Sequence, residues 1–108
     1  NLSVGALVPY KNGLRDGFTY EFHGDEIRQN LLFIGESRNG DFNGPSKWYY
    51  KNLNISREGM RANNKKEGIW KVYYKNGDVE WKGSYSNGMK NDDWIHYDQT
   101  GNIDNTQL

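Results

Sequence analysis

The chain has 108 residues with as many acidic as basic side chains, 34% hydrophobic residues and 15% aromatic residues. This length suits one domain, and the composition excludes a thick aliphatic core but allows a thin sheet paved with rings on one face; so many rings also argue against disorder. The lack of cysteine excludes disulfide bonds and thiolate chemistry, and no apolar run approaches the roughly 20 residues that a membrane-spanning helix needs.

The first part of the chain predicts short strands and a hairpin. Residues 1–9 form a leading strand that ends at Pro9. Residues 10–17 then share with residues 85–92 an aromatic residue, an Asn-Gly pair, an apolar residue and a basic residue. Asn-Gly between strand patterns is typical of hairpin turns. The spacing is irregular before Gly35, so we expect a longer turn or a bulge near residues 23–30.

A period of 24 residues organises the rest of the chain. It relates Gly35, Gly59 and Gly83, and likewise Tyr49, Tyr73 and Tyr97. We divide the chain into a leading strand (1–9), an irregular first repeat (10–43), two regular repeats (44–67 and 68–91) and a capping repeat (92–108). The predicted fold is a single all-β domain, an elongated, twisted antiparallel meander of about eight strands in about four hairpin repeats, with little or no helix.

Residues 68–83 are the best-preserved hairpin. A type I′ turn at Asn76-Gly77 places Tyr74 opposite Val79, Val72 opposite Trp81, and Trp70 opposite Gly83, whose gap the indole would cover. The repeat before it pairs Trp48 with Arg57, Tyr50 with Ile55 and Tyr49 with Ser56, and lets Arg57 lie flat on Trp48. This alternation predicts an apolar ring face, formed by Trp48, Tyr50, Trp70, Val72, Tyr74, Val79, Trp81 and Trp94.

The opposite face is the candidate binding surface; the alternative, for a concave sheet, is a groove on the ring face, and the sequence does not decide between them. Tyrosine is enriched at protein interfaces, although its preference for strands also explains its recurrence here. We call this surface the Tyr–Lys face, and its candidate residues are Lys47, Tyr49, Lys51, Lys71, Tyr73, Lys75 and Tyr97.

Catalytic and metal-binding patterns are lacking in the sequence. His23 and His96 lie in different repeats, and neither has a His or Cys neighbour at metal-ligand spacing; His96 is read as a polar capping residue. The adjacent acids Asp25-Glu26 and Asp92-Asp93 are better explained as solvated turn residues than as an acid–base pair. We therefore predict neither an enzyme nor a bound metal or cofactor.

The charge is distributed unevenly along the chain. Residues 44–90 hold ten bases and four acids, a net +6, whereas residues 91–108 hold four acids and no base, a net −4. Solvation of the repeat explains this pattern, and the alternative is a charge pattern that faces a partner and steers association. The neutral total argues against nucleic acid as that partner. The terminal strands are open sheet edges, where edge-to-edge self-association is a further expectation.

The repeat resembles the variant MORN repeat (membrane occupation and recognition nexus). The clearest copy is Gly68, Trp70, Tyr73, Tyr74, Asn76 and Gly77, followed by Tyr85, Asn87 and Gly88; Leu53 and Asp92 replace glycines of this pattern. The resemblance implies a non-enzymatic interaction surface, and bacterial proteins with such repeats include antitoxin and immunity proteins, which would place this chain in the cytoplasm. The alternative is an exported cell-envelope or glycan/choline-binding module, since Trp48-Tyr49-Tyr50 and Gly59-Met60 resemble the shorter choline-binding repeats.

Overall fold

The computed structural model describes residues 4–24 and 30–104, and within these ranges it contains ten strands and no helix. No helix of the described residues is thus long and apolar enough to cross a membrane. Residues 25–29, where part of the irregular first repeat was expected, lie outside the described residues. The strands are β1 (Val4–Leu7), β2 (Tyr10–Lys11), β3 (Leu14–Arg15), β4 (Gly17–His23), β5 (Leu31–Arg38), β6 (Asp41–Tyr49), β7 (Ile55–Ala62), β8 (Lys65–Tyr73), β9 (Val79–Ser86) and β10 (Met89–His96).

Eight of these strands form one antiparallel sheet in the order β1-β4-β5-β6-β7-β8-β9-β10, and β2 and β3 form a separate small hairpin. From β4 onward each strand pairs with the next along the chain. The molecule measures 47 × 34 × 17 Å, and its smallest dimension is that of one sheet with its side chains. The prediction of an elongated all-β meander is therefore confirmed.

Two kinds of turn occur in the described residues. Three turns of the meander and the turn of the β2–β3 hairpin have positive φ at both central residues, as a type I′ turn requires. They are Asn39-Gly40, Asn63-Asn64 and Asn87-Gly88 in the meander, and Asn12-Gly13 in the small hairpin. The turn at Asn76-Gly77 is different, and the type I′ prediction there is wrong. Only Gly77 has positive φ, the Gly77 amide donates to Tyr74 O at 3.0 Å, and the Tyr74 amide donates to Asp78 O at 2.8 Å. These bonds define a three-residue loop that ends in a left-handed residue.

The three-residue loop moves one predicted residue to the other face. Val79 pairs with Tyr73 instead of Tyr74, while Val72 still pairs with Trp81, so Glu80 is the extra residue of a bulge. The assignment of Val79 to the ring face is therefore wrong, and it belongs to the Tyr–Lys face. The same shift in the preceding hairpin pairs Tyr49 with Ile55, which corrects the expected pairs Tyr49–Ser56 and Tyr50–Ile55, whereas Trp48 pairs with Arg57 as predicted.

The core is a chain of rings on the ring face. Phe33, Trp70 and Trp94 are 2–4% exposed. Neighbouring centroids are 4.9–5.9 Å apart along the series Phe42, Phe33, Trp48, Trp70, Tyr85 and Trp94. These distances are typical of edge-to-face and tilted aromatic packing, which adds to the energy of burial.

Each buried indole lies over a glycine of the preceding strand. A Cβ atom at Gly59 would lie 2.1 Å from the Trp70 ring, and one at Gly83 would lie 2.1 Å from the Trp94 ring. Trp70 pairs with Gly83 in register as predicted, but its indole covers Gly59. The expectation that Trp70 fills the gap at Gly83 is therefore wrong, because Trp94 occupies that place.

Tyrosine hydroxyls connect successive hairpins. Tyr50 Oη donates to the carbonyl of Tyr73 at 2.5 Å, and Tyr74 Oη donates to the carbonyl of Tyr97 at 2.7 Å. Because the donor and the acceptor belong to different hairpins, each bond fixes one turn against the next. The sheet therefore presents its two faces on a rigid frame.

Candidate functional site

A row of charged residues crosses the Tyr–Lys face from β6 to β9. Lys47 pairs with Glu58, Glu58 pairs with Lys71, and Lys71 pairs with Lys82. Glu58 Oε1 lies 4.0 Å from Lys47 Nζ, and its Oε2 accepts the hydroxyl proton of Tyr73. No carboxylate among residues 4–24 and 30–104 forms an ion pair with Lys71 or Lys82. Like charges directly opposite in a sheet are destabilising, so these two lysines leave positive charge uncompensated at the surface.

Exposed apolar side chains lie beside this row. Met60 is 49% exposed and Ile69 is 59% exposed. Together with Lys47, Glu58 and Lys71 they line a hollow of about 410 Å³. A second hollow, of about 440 Å³, is lined by Lys71, Asp78, Val79, Lys82, Tyr97, Gln99, Thr100 and Gly101. Lys71 and Lys82 line both hollows, so their charge lies between a recess that holds the apolar side chains Met60 and Ile69 and a second, more polar recess.

The structure brings together only part of the predicted binding set. On the Tyr–Lys face, Lys47 and Tyr49 lie on β6 and Lys71 and Tyr73 lie on β8, with β7 between them, and Tyr97 lines the second hollow. Lys51 and Lys75 lie instead in the turns that follow their strands. The prediction omitted Met60, Ile69 and Lys82, although strict alternation about Gly59, Trp70 and Trp81 assigns all three to this face.

The phenols of Tyr49 and Tyr73 both lie near the Glu58 carboxylate. Burial, followed by the nearby Glu58 carboxylate, raises the pKa of both phenols above the usual value for tyrosine. The Tyr73 proton is held by its bond to Glu58. These groups therefore suit positioning and recognition, and proton transfer near neutral pH is opposed by their raised pKa.

Several rings of the opposite face, including three of its indoles, are covered by cations of the same chain. Arg57 Cζ lies 4.2 Å from the Trp48 centroid, which confirms the predicted stacking. Arg61 Cζ lies 5.1 Å from Trp48, Lys66 Nζ lies 5.0 Å from Trp70, and Lys90 Nζ lies 5.5 Å from Trp94. We call Arg57, Arg61, Lys66 and Lys90 the cation row. Since it occupies the faces of these indoles, they do not form an open cage for a quaternary ammonium ligand.

His96 links β10 to the segment that follows it. Its ring lies between Asp104 Oδ2, 2.7 Å from Nδ1, and Glu80 Oε2, 3.2 Å from Nε2, and packs 4.5 Å from the Trp81 ring. Desolvation lowers the pKa of His96, but the bonds to the two carboxylates outweigh it and raise the pKa above the ordinary value. The described residues contain no group of three His, Cys, Asp or Glu placed to hold a metal. The bonds of His96 therefore assign it a structural role at this end of the sheet.

No known protein family matches the chain, and no curated protein has a significantly similar sequence. The MORN resemblance therefore stays a prediction based on the recurring residues. At two positions of the repeat, the backbone is left-handed in all three copies. The first position is Gly44, Gly68 and Asp92, with φ of 110°, 74° and 60°. The second is Leu53, Gly77 and Gly101, with φ of 70°, 99° and 92°. The two replacements of glycine thus retain the left-handed backbone of the pattern.

Proposed function

We propose that the chain is a non-enzymatic protein-binding repeat module that engages an acidic protein partner through its Tyr–Lys face. The observation that supports this proposal is that Lys71 and Lys82 lie opposite each other without an ion pair to a described carboxylate. The exposed apolar side chains of Met60 and Ile69 lie beside them. Apolar anchors surrounded by polar and charged side chains are the usual anatomy of a protein interface. Acidic groups of a partner would relieve the repulsion between the two lysines.

The dimensions and rigidity of the sheet support this proposal. A face measuring up to 47 × 34 Å accommodates the about 800 Å² per partner of a standard interface. The ring core beneath it and the bonds from Tyr50 and Tyr74 hold the strands in place, so little order has to be gained on binding. Tyr49 and Tyr73 add flat, weakly mobile contact area with polar tips.

The specific form of the proposal is an antitoxin or immunity protein that neutralises a partner toxin. It rests on the MORN resemblance and on the lack of catalytic motifs in the sequence. Purification of the whole protein from its native host, followed by mass spectrometry, should recover one stable, acidic protein partner. That partner, expressed alone, should arrest growth of the host, and co-expression with this chain should restore it. A stable partner that is harmless to the cell would refute the antitoxin form alone.

The Tyr–Lys face is tested with charge variants. The double variant Lys71→Glu/Lys82→Glu should weaken partner binding by about a hundredfold, because charge pairs at an interface contribute more than 1 kcal/mol each. The control Lys11→Glu/Lys65→Glu makes the same charge change at exposed positions elsewhere and should shift affinity by about threefold or less. Equal weakening by both pairs would show general charge attraction, and recovery of no stable partner would contradict the proposal.

The exported glycan- or choline-binding module remains the alternative proposal. Because the cation row covers the indoles of Trp48, Trp70 and Trp94, these rings offer little surface for stacking on a sugar or an ammonium group. Calorimetry of the whole protein with choline and with cell-wall fragments decides between the two. Saturable binding of either ligand at micromolar concentration would favour the exported module over the protein-binding proposal.

A further inference from the structure

The cation row is an unusual concentration of like charge on the ring face. Each of Arg57, Arg61, Lys66 and Lys90 lies over an aromatic ring, and none forms an ion pair with a carboxylate within residues 4–24 and 30–104. The quadrupole of a ring attracts one cation to its face but leaves the net charge in place. The row therefore presents four positive charges with no compensating acid paired to them.

These cations are close enough to act on one another. Arg61 and Lys66 are direct cross-strand partners on β7 and β8. Lys90 pairs with Tyr85, which also pairs with Gly68 of β8. Lys66 lies two residues from Gly68, so the Cα atoms of Lys90 and Lys66 are about 12 Å apart at the usual strand spacing and rise. Burial and the charges of Arg57, Arg61 and Lys90 lower the pKa of Lys66, and burial and Arg57 lower the pKa of Arg61. A bound anion would relieve this repulsion.

The geometry points to a binding site for a short acidic polypeptide segment along the cation row, and we propose this as a second interaction surface. The packed guanidinium and ammonium groups are held over rings, so their positions are largely set before a ligand arrives. A guanidinium that lies flat on a ring keeps its N–H edge free for a carboxylate. Several carboxylates on one extended segment match a row that crosses β7, β8 and β10.

Two observations favour a short acidic peptide over nucleic acid. Single-stranded nucleic acid gains much of its binding energy from bases stacked on open rings, whereas Trp70 and Trp94 are 2% and 4% exposed and lie under Lys66 and Lys90. Acidic residues also border the row: Asp92 and Asp93 follow Lys90 on β10, and Glu21 lines a hollow with Arg61. A long polyanion would meet these acids, but a ligand with a few adjacent carboxylates would not.

The site is independent of the proposed function, because the cation row and the Tyr–Lys face lie on opposite sides of one sheet. Tryptophan fluorescence reports on the ring face, because all four tryptophans lie on it. A ligand bound over Arg57 and Lys66 changes the surroundings of Trp48 and Trp70. A ligand bound to the Tyr–Lys face leaves these indoles covered as before.

The test is a titration of the whole protein with a short oligoglutamate peptide at low salt, followed by tryptophan fluorescence and calorimetry. Saturable binding with a fluorescence change is expected, and Lys66→Gln/Lys90→Gln should weaken it by about tenfold or more. The matched control Lys71→Gln/Lys82→Gln removes the same charge from the other face and should change affinity by about twofold or less. If the urea midpoint of the double variant is lowered, the single variant Lys90→Gln replaces it in the binding measurement.

Four outcomes would overturn the inference. They are no saturable binding of oligoglutamate, equal weakening by the control pair, tighter binding of oligothymidylate of the same charge, and tighter binding of vesicles with an anionic lipid. The second outcome would show general electrostatic attraction, and the last two would assign the row to a nucleic acid or a membrane surface. Binding that is weakened only by the ring-face variants supports the inference whatever the result for the Tyr–Lys face.

Discussion

The contact between Trp70 and Gly59 gives the sharpest test of how this sheet is packed. A Cβ atom at Gly59 would lie 2.1 Å from the indole, which is closer than any real contact, and Trp70 is only 2% exposed. Gly59→Ala must therefore displace a buried ring, at a cost of about 1–3 kcal/mol for overpacking. Trp70→Ala should cost about 3–5 kcal/mol, because it leaves a large cavity and removes the bond from Nε1 to Met60 O.

The double variant separates this contact from every other effect. With the indole gone, Gly59→Ala meets no obstacle, and since Gly59 is not among the residues with positive φ, the alanine should stabilise Trp70→Ala by about 0.4–1 kcal/mol. The two changes should thus couple by about 1.5–4 kcal/mol, well above the error of additivity. Urea unfolding of the four proteins, followed by circular dichroism, measures this coupling; an osmolyte raises all four midpoints if Trp70→Ala is marginal.

A matched control uses the next glycine of the same series. Gly83 lies under Trp94 and not under Trp70, although it pairs with Trp70 in register. Gly83→Ala should therefore cost about the same, roughly 1–3 kcal/mol, with Trp70 present or absent. If Gly59→Ala remains costly without the indole, or if Gly83→Ala becomes tolerated, the assignment of rings to glycines is refuted.

Three further predictions concern the turns, His96 and the cation row. Leu53→Gly should raise stability by about 0.5–1 kcal/mol, because the strain of leucine at φ of 70° exceeds the entropy that glycine loses on folding. Gly77→Leu, at the matching position, should lower stability. Urea unfolding measures both, and a lower midpoint for Leu53→Gly would show that the leucine side chain stabilises the turn. Protonated His96 stabilises the fold fully below its unfolded pKa of about 6.5, and this contribution is lost as pH rises through the higher folded pKa. Melting temperature should therefore fall from pH 6 towards pH 9, and His96→Gln should flatten that fall. Lys66→Met keeps the stem over Trp70 and removes the repelling charge, so its urea midpoint should be unchanged or higher, whereas Lys66→Ala should lower it.

The ring face was predictable because alternation along a strand is a local property. Val72, Trp81, Trp70 and Gly83 pair as the sequence pattern predicts. The type of the turn at Asn76-Gly77 was not predictable, because Asn-Gly occurs in both turn types of this fold. The residue after the glycine does not separate them, because Asp41 follows a type I′ pair and Asp78 follows Asn76-Gly77. The three-residue loop is held by the Asp78 amide, which donates to Asn76 Oδ1 at 2.9 Å. The bulge at Glu80 and the transfer of Val79 follow from that loop.

The choice of glycine under each indole could not be read from the sequence. Trp70 pairs with Gly59 on one side and with Gly83 on the other, so alternation and register are the same for both. The rotamer of the indole decides between them, and it depends on which neighbouring strand brings a second ring. Trp94 already covers Gly83, so only Gly59 is open to Trp70.

The candidate site was predictable in outline only. Lys71 opposite Lys82 follows from the predicted hairpin, but their uncompensated charge depends on Glu58 being turned towards Lys47 and Tyr73. The cation row was foreseen at Arg57 alone, since Arg57 and Trp48 are direct pairing partners. Lys66 reaches Trp70 from four residues away on the same strand, a contact that depends on side-chain conformation and not on strand pairing.

The cation row also explains how so polar a chain maintains a one-layer sheet. A sheet with a hydrophobic face is normally covered by a second layer, which a thickness of 17 Å leaves no room for. Here the charged ends of Arg57, Arg61, Lys66 and Lys90 lie over the rings and, with the side chains that carry them, cover the face that a second layer would cover. Because every stem ends in a charge, covering the core places four cations side by side. The side chains that cover the rings are therefore also the source of the positive charge on this face.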